Sequence, residues 1–195
     1  MDVSIGSLAA VPALSRPDLL AAPVAGALAA LGEAAAGEVG VAEIDPAAAD
    51  TATFCERYGV SPAESANCVV ISGKREGEVR YAACVILATT RADVNNVARR
   101  ELDVRKASFA PMDTAVAETG MEYGGITPLG LPASWPVLVD AAVADTPYVV
   151  IGSGVRIEPG PPERLAYLRR CAGLGHGRRI TAWMYQSARW PPSRR

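Results

Sequence analysis

The sequence predicts an α/β fold of the α+β type, a mixed and largely antiparallel sheet with helices packed on it. Three observations predict it. Cys68–Ser72 (CVVIS) and Val79–Leu87 (VRYAACVIL) are β-rich runs on either side of a glycine-bearing polar link, GKREGE, as in a hairpin. Asp93 stands before VNNVARREL, in which Val94, Val97, Ala98 and Leu102 fall on one helical face. Two later apolar runs, Trp135–Asp140 (WPVLVD) and Tyr148–Ile151 (YVVI), are short and bounded by turn residues, as buried strands are.

The remaining elements follow in chain order. Residues 17–36 (PDLLAAPVAGALAALGEAAA) have helical composition interrupted by Pro23, and a short strand is expected at Val39–Ile44. Asp50 can cap a short helix, TATFCERYG, closed by Gly59. Ser61-Pro62-Ala63-Glu64 has the form of a capping box that would begin a second helix. After the Asp93 helix come a strand at Lys106–Ala110 and a helix at Pro111–Thr119 stopped by Gly120. The order β-β-α-β-α-β-β has no internal repeat.

Bulk properties limit the function classes. A chain of 195 residues, half of them apolar, suits one domain with a sizeable core. The formal net charge of −2 rules out attraction to nucleic acid by the molecule as a whole, so any RNA contact needs a local patch. Cysteines 55, 68, 84 and 171 form no C-x-x-C pair and His176 is the single histidine, so no metal site and no cofactor are expected. Free thiols and a Met1-Asp2 start without a basic segment suit a cytoplasmic protein. The uncharged run Leu19–Gly32 holds 14 residues with Pro23 and Gly26 inside it, too few to cross a membrane.

Charge is unevenly distributed. Residues 1–155 hold 10 Lys/Arg against 19 Asp/Glu, whereas 156–195 hold 9 Arg against 2 Glu, with five prolines and two of the three tryptophans. Three segments are therefore expected: an Ala-rich helical extension at 1–49, a domain at 50–156, and an atypical Arg/Pro-rich tail at 157–195. Out-of-frame translation of GC-rich DNA would give such a tail, and so would a basic helix particular to this lineage.

Catalysis by a histidine base is disfavoured, because the one histidine lies in that tail and no G-x-S-x-G elbow occurs. Gly152-Ser153-Gly154 after the Tyr148–Ile151 strand is a weak phosphate-loop signal, better read as a tight turn. Backbone chemistry remains. The strip EYGGITPLGLP, residues 122–132, carries one charge, three glycines and two prolines, and Gly124, Gly125, Ile126 and Thr127 can form an oxyanion-binding loop stiffened by Pro128 and Pro132. A plain turn between helix and strand is the alternative.

The stretch from about Asp50 to Arg156 resembles the YbaK/ProX family of aminoacyl-tRNA deacylases, related to the editing domain of bacterial prolyl-tRNA synthetases. TFCERYGV, CVVISGKREGEVRYAACVILATTRADVNNVARREL and KASFAPMDTAVAETGMEYGGITPLGLPASWPVLVD carry the resemblance, which ends in VVIGSG. Thr119-Gly120, Gly124–Pro128, Val139-Asp140 and the glycine-rich strand end appear in the family's order. The resemblance implies a barrel-like sheet, the 3′ acceptor end of aminoacyl-tRNA as partner, a synthetase as a further one, and hydrolysis of the ester of mischarged tRNA. Such a second sieve is needed because a binding pocket rejects a similar small side chain by only about 1–3 kcal/mol.

Carried over residue by residue, the resemblance puts Gly124, Gly125, Ile126 and Thr127 in the catalytic loop, with Asn67 at its mouth. Family members usually have lysine at the position of Asn67, and asparagine can hydrogen-bond a ribose or phosphate but brings no charge. Lys106 is the candidate to supply charge from a neighbouring strand, or else a solvated strand-end lysine. Asp140 either fixes a pocket amide or the substrate amine, or caps the AAVAD segment; Pro128, Gly152 and Gly154 complete the candidate binding set. Tyr58 and Phe54 can stack on the terminal adenosine or belong to the core. Arg99-Arg100 and Arg105-Lys106 can form an acceptor-stem patch or simply end a helix. A module that keeps the pocket and has lost turnover is the alternative to a working deacylase.

Overall fold

The longest ladder pairs β3 (Ala66–Arg75) with β4 (Glu78–Leu87) antiparallel, from Ala66↔Leu87 to Arg75↔Glu78. The two runs pair farther than their apolar cores suggest because Glu76 and Gly77, at φ 53° and 88°, make a two-residue turn whose twist matches that of the strands. The computed structural model containing this hairpin describes residues 5–45, 48 and 50–155, with the backbone of strands 163–169 and 180–181. Expectations for the rest of the tail, His176 included, lie outside the described residues.

On one side of the hairpin, β5 (Ala107–Phe109) pairs antiparallel with Ile71–Gly73; on the other, β6 (Val137–Val139) runs parallel to β4, and β9 (Ile180–Thr181) parallel to β6. A second sheet has the order β1 (Val11–Pro12), β2 (Val39–Ile44), β8 (Glu163–Arg169) and β7 (Tyr148–Gly152), all antiparallel. β2 thus comes from the first 49 residues and β8 from beyond residue 156. The sheets are joined by one parallel bridge, Ser65↔Val150, where the Val150 N–H donates to the Glu64 carbonyl at 2.7 Å. The result is a mixed α/β fold whose sheet is not closed.

The helices follow their caps and their prolines. The stretch 17–36 is not one helix: Pro17–Leu19 is a 3-10 turn, Ala22–Ala30 is α1 with proline in its first turn, and Glu33–Ala36 is α2. Each proline can only begin a helix, and Gly32 at φ 80° separates α1 from α2. α3 (Thr51–Tyr58) starts at Asp50, whose Oδ1 accepts from the Ala52 and Thr53 N–H groups, and stops at Gly59 with φ 64°.

Ser61–Glu64 makes only a single turn, with the Glu64 N–H on the Ser61 carbonyl, because the chain must enter β3 two residues later. After Asp93 the chain forms a π-helical turn, Val94–Ala98, whose wide register has the Ala98 N–H on the Asp93 carbonyl, and then the short α4 (Arg99–Glu101). α5 (Met112–Thr119) and α6 (Ala141–Asp145) complete the set. Among the described residues no helix is long and apolar enough to cross a membrane.

The main core places Val24 and Leu28 of α1 with Val70, Val85, Met121 and Leu131. Phe54 of α3 joins Ile44 and Val150 in a second cluster, and Ala98 and Leu102 cover Ile71, Ala82 and Leu138 in a third. The N-terminal helix is therefore part of the main core. Leu28 is fully buried, and Leu28→Ala is expected to cost about 2–5 kcal/mol. A urea titration should show a lower midpoint at an unchanged slope.

A second expectation concerns pH. Burial pushes the Cys84 thiol up from 9.0 to about 12. Above pH 9 the unfolded chain then loses a proton that the native state keeps, so stability present below pH 9 is lost as pH rises, by about 1.4 kcal/mol per unit at most. Unfolding titrations between pH 8 and 10.5 should show this slope in the native sequence and a shallower one in Cys84→Ala.

Candidate active site

The strip 122–132 leaves α5 through Thr119, whose hydroxyl donates to the Ala115 carbonyl at 2.7 Å and accepts from the Met121 N–H at 3.2 Å. It then lies against the end of β7. The Glu122 N–H donates to the Gly154 carbonyl at 2.8 Å, and the Gly154 N–H donates to the Gly125 carbonyl at 2.7 Å. Backbone meets backbone here. A Cβ on Gly152 would stand 2.3 Å from the Gly125 oxygen, and one on Gly125 would stand 2.7 Å from the Val155 oxygen. Only glycine allows that approach. On the other flank the Ala21 N–H, just before α1, donates to the Ser153 carbonyl at 3.1 Å, so the N-terminal segment holds the glycine-rich strand end from outside.

Within the strip, the Gly125 N–H donates to the Glu122 carbonyl at 3.0 Å. Among the described residues the N–H groups of Gly124 and Ile126 have no acceptor. Gly124 is exposed at φ 89°, while Ile126, Thr127, Pro128, Leu129 and Leu131 are buried and anchor the strip in the main core. Thr127 is wholly buried; its N–H points at the Met121 sulfur at 3.5 Å and its hydroxyl has no hydrogen-bond partner among the described residues.

Strand register lines up the remaining polar candidates. Asn67 pairs with Ile86 across β3 and β4, Val85 pairs with Val139, and the Asp140 N–H continues that ladder by donating to the Val85 carbonyl at 2.9 Å. Asn67, Ile86 and Asp140 thus share one row and, by side-chain alternation, one face of the sheet. The Ser65↔Val150 bridge is parallel, so Asn67 and Gly152 lie two residues beyond it on neighbouring strands. At about 4.8 Å per strand, the row Gly152, Asn67, Ile86, Asp140 spans roughly 14 Å. Asp140 also caps α6, with its Oδ1 accepting from the Ala142 N–H at 3.0 Å.

Ile86 was not legible as a site residue. It is an isoleucine in an apolar strand, and only its position opposite Asn67 and its partial exposure, between buried Ala82–Val85 and buried Leu87, mark it out.

Two candidates are not brought to this place. Gly73 pairs with Ala107, so Lys106 lies beside Lys74, seven residues and roughly 23 Å along β3 from Asn67. Tyr58 is tied beneath α3: its hydroxyl accepts from the Asp45 N–H at 2.7 Å and its ring lies 5.4 Å from that of Phe54. A separate cleft of 710 Å³, lined by Tyr81, Glu101, Glu118 and Trp135 among others, lies toward the hairpin end of β4. Tyr81 and Trp135 stack there at 4.9 Å.

The buried Thr127 hydroxyl gives a clean test of stability against function. An unpaired buried hydroxyl costs about 1–3 kcal/mol, so Thr127→Val, which removes it at nearly constant shape, should fold with equal or greater stability. Thermal unfolding checks this.

Comparison with known proteins bears on the fold and the family. A candidate trans-editing enzyme for prolyl tRNA synthetase has a similar structure, with a TM-score of 0.61 at 20% identity, covering 76% of this chain and 85% of that one. A scaffold protein used for epitope backbone grafting by computational design is similar too, with a TM-score of 0.63 at 21% identity over 79% of this chain and 89% of the other. At such identities the likeness shows the fold. The family is shown by sequence, since residues 45–157, more than half of the chain, match the aminoacyl-tRNA editing domain and include every strand and loop of the site just described. The chain belongs to the aminoacyl-tRNA editing domain family.

Proposed function

We propose that the protein is a trans-editing hydrolase of the cytoplasm that cleaves the ester between a wrong amino acid and the 3′ end of its tRNA. The observation that carries the reading is the backbone contact of Gly125 with Gly152 and Gly154, beside which the Gly124 N–H, at the exposed edge of the strip and next to the Asn67 row, has no acceptor among the described residues. In the reaction, a water oxygen attacks the ester carbonyl carbon and the carbonyl electron pair moves onto its oxygen. The Gly124 N–H, with that of Ile126 as second donor, stabilises this oxyanion. Collapse breaks the bond to the ribose oxygen, which takes the proton, and the free amino acid leaves. Fixed amide donors of this kind are worth about 10²–10³ in rate each.

Other roles follow from position. Asn67 orients the terminal ribose, the second carboxylate oxygen of Asp140 receives the substrate ammonium, Pro128 stiffens the strip, and Thr127 supports it from beneath. Gly152 and Gly154 keep the strip in place. A synthetase would supply the mischarged tRNA.

A second reading is favoured by one observation. Asn67 stands where the resemblance implies a lysine, and Lys106 lies roughly 23 Å along β3 from it, so neither brings a cation to the row. A module that binds the aminoacylated end without turnover fits this as well.

A panel of mischarged tRNAs separates the two. Trans-editing predicts release of the amino acid from at least one of them, with kcat/KM lowered about a hundredfold in Gly152→Ala, which displaces the strip. Binding of a non-hydrolysable aminoacyl-adenosine without release, together with turnover restored by Asn67→Lys, would establish the second reading. A panel left intact with no analogue bound would remove both.

A further inference from the structure

Positive charge in the first 155 residues is confined to one part of the chain. Eight of its ten Lys/Arg lie between residues 74 and 106, against five acids; residues 1–73 have two against nine, and 107–155 have none against five. The fold gathers seven of these eight around the outer end of one sheet, over the hairpin tip, the π turn with α4, and the approach to β5; the eighth, Arg91, follows β4 at the opposite end, beside the Ala66↔Leu87 pair.

The end is built rather than frayed. Asp103, held at φ 52°, binds Arg75 at 2.6 Å and Arg80 at 3.5 Å, and Arg80 also donates to the Leu102 carbonyl at 3.0 Å. Val104 sits so close to Gly73 that a Cβ there would stand 2.6 Å from its methyl carbon. These contacts fix the segment that carries Arg105 and Lys106 beside Lys74. Asp103 neutralises part of Arg75 and Arg80, but Lys74, Arg100, Arg105 and Lys106 are exposed, and among the described residues no carboxylate lies within ion-pair distance of them.

We infer that this surface binds the phosphate backbone of the paired acceptor stem of the substrate tRNA, while the single-stranded 3′ end reaches the Asn67 row. The inference rests on the trans-editing reading for the identity of the RNA. Two observations choose the occupant. Among the described residues the surrounding surface is mostly acidic, so phosphate is attracted chiefly to this end. The separation from Asn67, roughly 23 Å along β3, is comparable to the span of a short extended single-stranded end, so the paired stem begins at this surface. An A-form stem is held through its backbone, as point cations on a rigid strand end can do without reading sequence.

The test uses Lys74→Glu, Arg100→Glu and Arg105→Glu combined, all at exposed positions away from the site. Three readouts are compared with the native protein: hydrolysis of a mischarged tRNA, hydrolysis of the same amino acid on a CCA trinucleotide, and binding of uncharged tRNA over a range of salt. For the tRNA, KM should rise about tenfold at unchanged kcat, and the slope of log affinity on log salt should become shallower by about 2 to 3. Turnover of the trinucleotide ester should be unchanged.

An unchanged KM and salt slope would overturn the inference, as expected if the surface serves an acidic protein instead. An equal loss on the trinucleotide would overturn it too, by placing the defect in the site. If the native protein hydrolyses neither substrate, the trans-editing reading fails, and the binding titration alone then decides the surface: equal affinity in both proteins overturns it.

Discussion

The site depends on one close approach, that of the Gly125 carbonyl to Gly152 and Gly154 at the end of β7. Side chains cannot mediate it, because there is no room for even a methyl group. It joins the strip after α5 to the second sheet, and the Ala21–Ser153 hydrogen bond holds the same strand end from the side of α1. The hydrophobic part of the strip, Ile126 to Leu131, then packs into the core shared with Val24 and Leu28. A rigid floor whose exposed Gly124 amide has no acceptor among the described residues follows from these constraints, and a loop fixed in advance is what oxyanion stabilisation requires.

Register supplies the polar groups. No single motif puts Asn67, Ile86 and Asp140 together; the hairpin ladder and the parallel pairing of β6 do so from three separate stretches of sequence. Gly152 joins the row through the bridge between sheets. Charge is unevenly spread on the same scaffold: among the described residues most cations lie at the hairpin end of β3 and the candidate site at the opposite end, which Arg91 follows. Asn67 brings no charge to the row, and the basic end lies roughly 23 Å from it along β3.

Much of this was legible before the fold. The β2 span, the hairpin, the caps at Asp50 and Asp140 and the stops at Gly59 and Gly120 are local features, set by turn chemistry and alternation, and they form where expected. The strip stood out because an uncharged run with three glycines needs a structural reason. What was hidden is tertiary. The Ser61 capping box makes one turn and no helix because β3 begins immediately after it. The 17–36 stretch breaks at its prolines. Lys106 can be read from sequence as a charge for the site or as a solvated strand-end lysine, and the pairing of Ala107 with Gly73 puts it at the far end. The involvement of Gly125's own N–H in the turn, and the row position of Ile86, are consequences of hydrogen bonding and register that composition does not carry.

The central claim is a location, and a crystal structure of the protein with a non-hydrolysable aminoacyl-adenosine tests it most directly. The account predicts the carbonyl group of the analogue at the Gly124 amide, the ribose beside Asn67 and the ammonium toward Asp140. An analogue bound in the cleft between Tyr81 and Trp135, with the Gly124–Pro128 strip untouched, would contradict it.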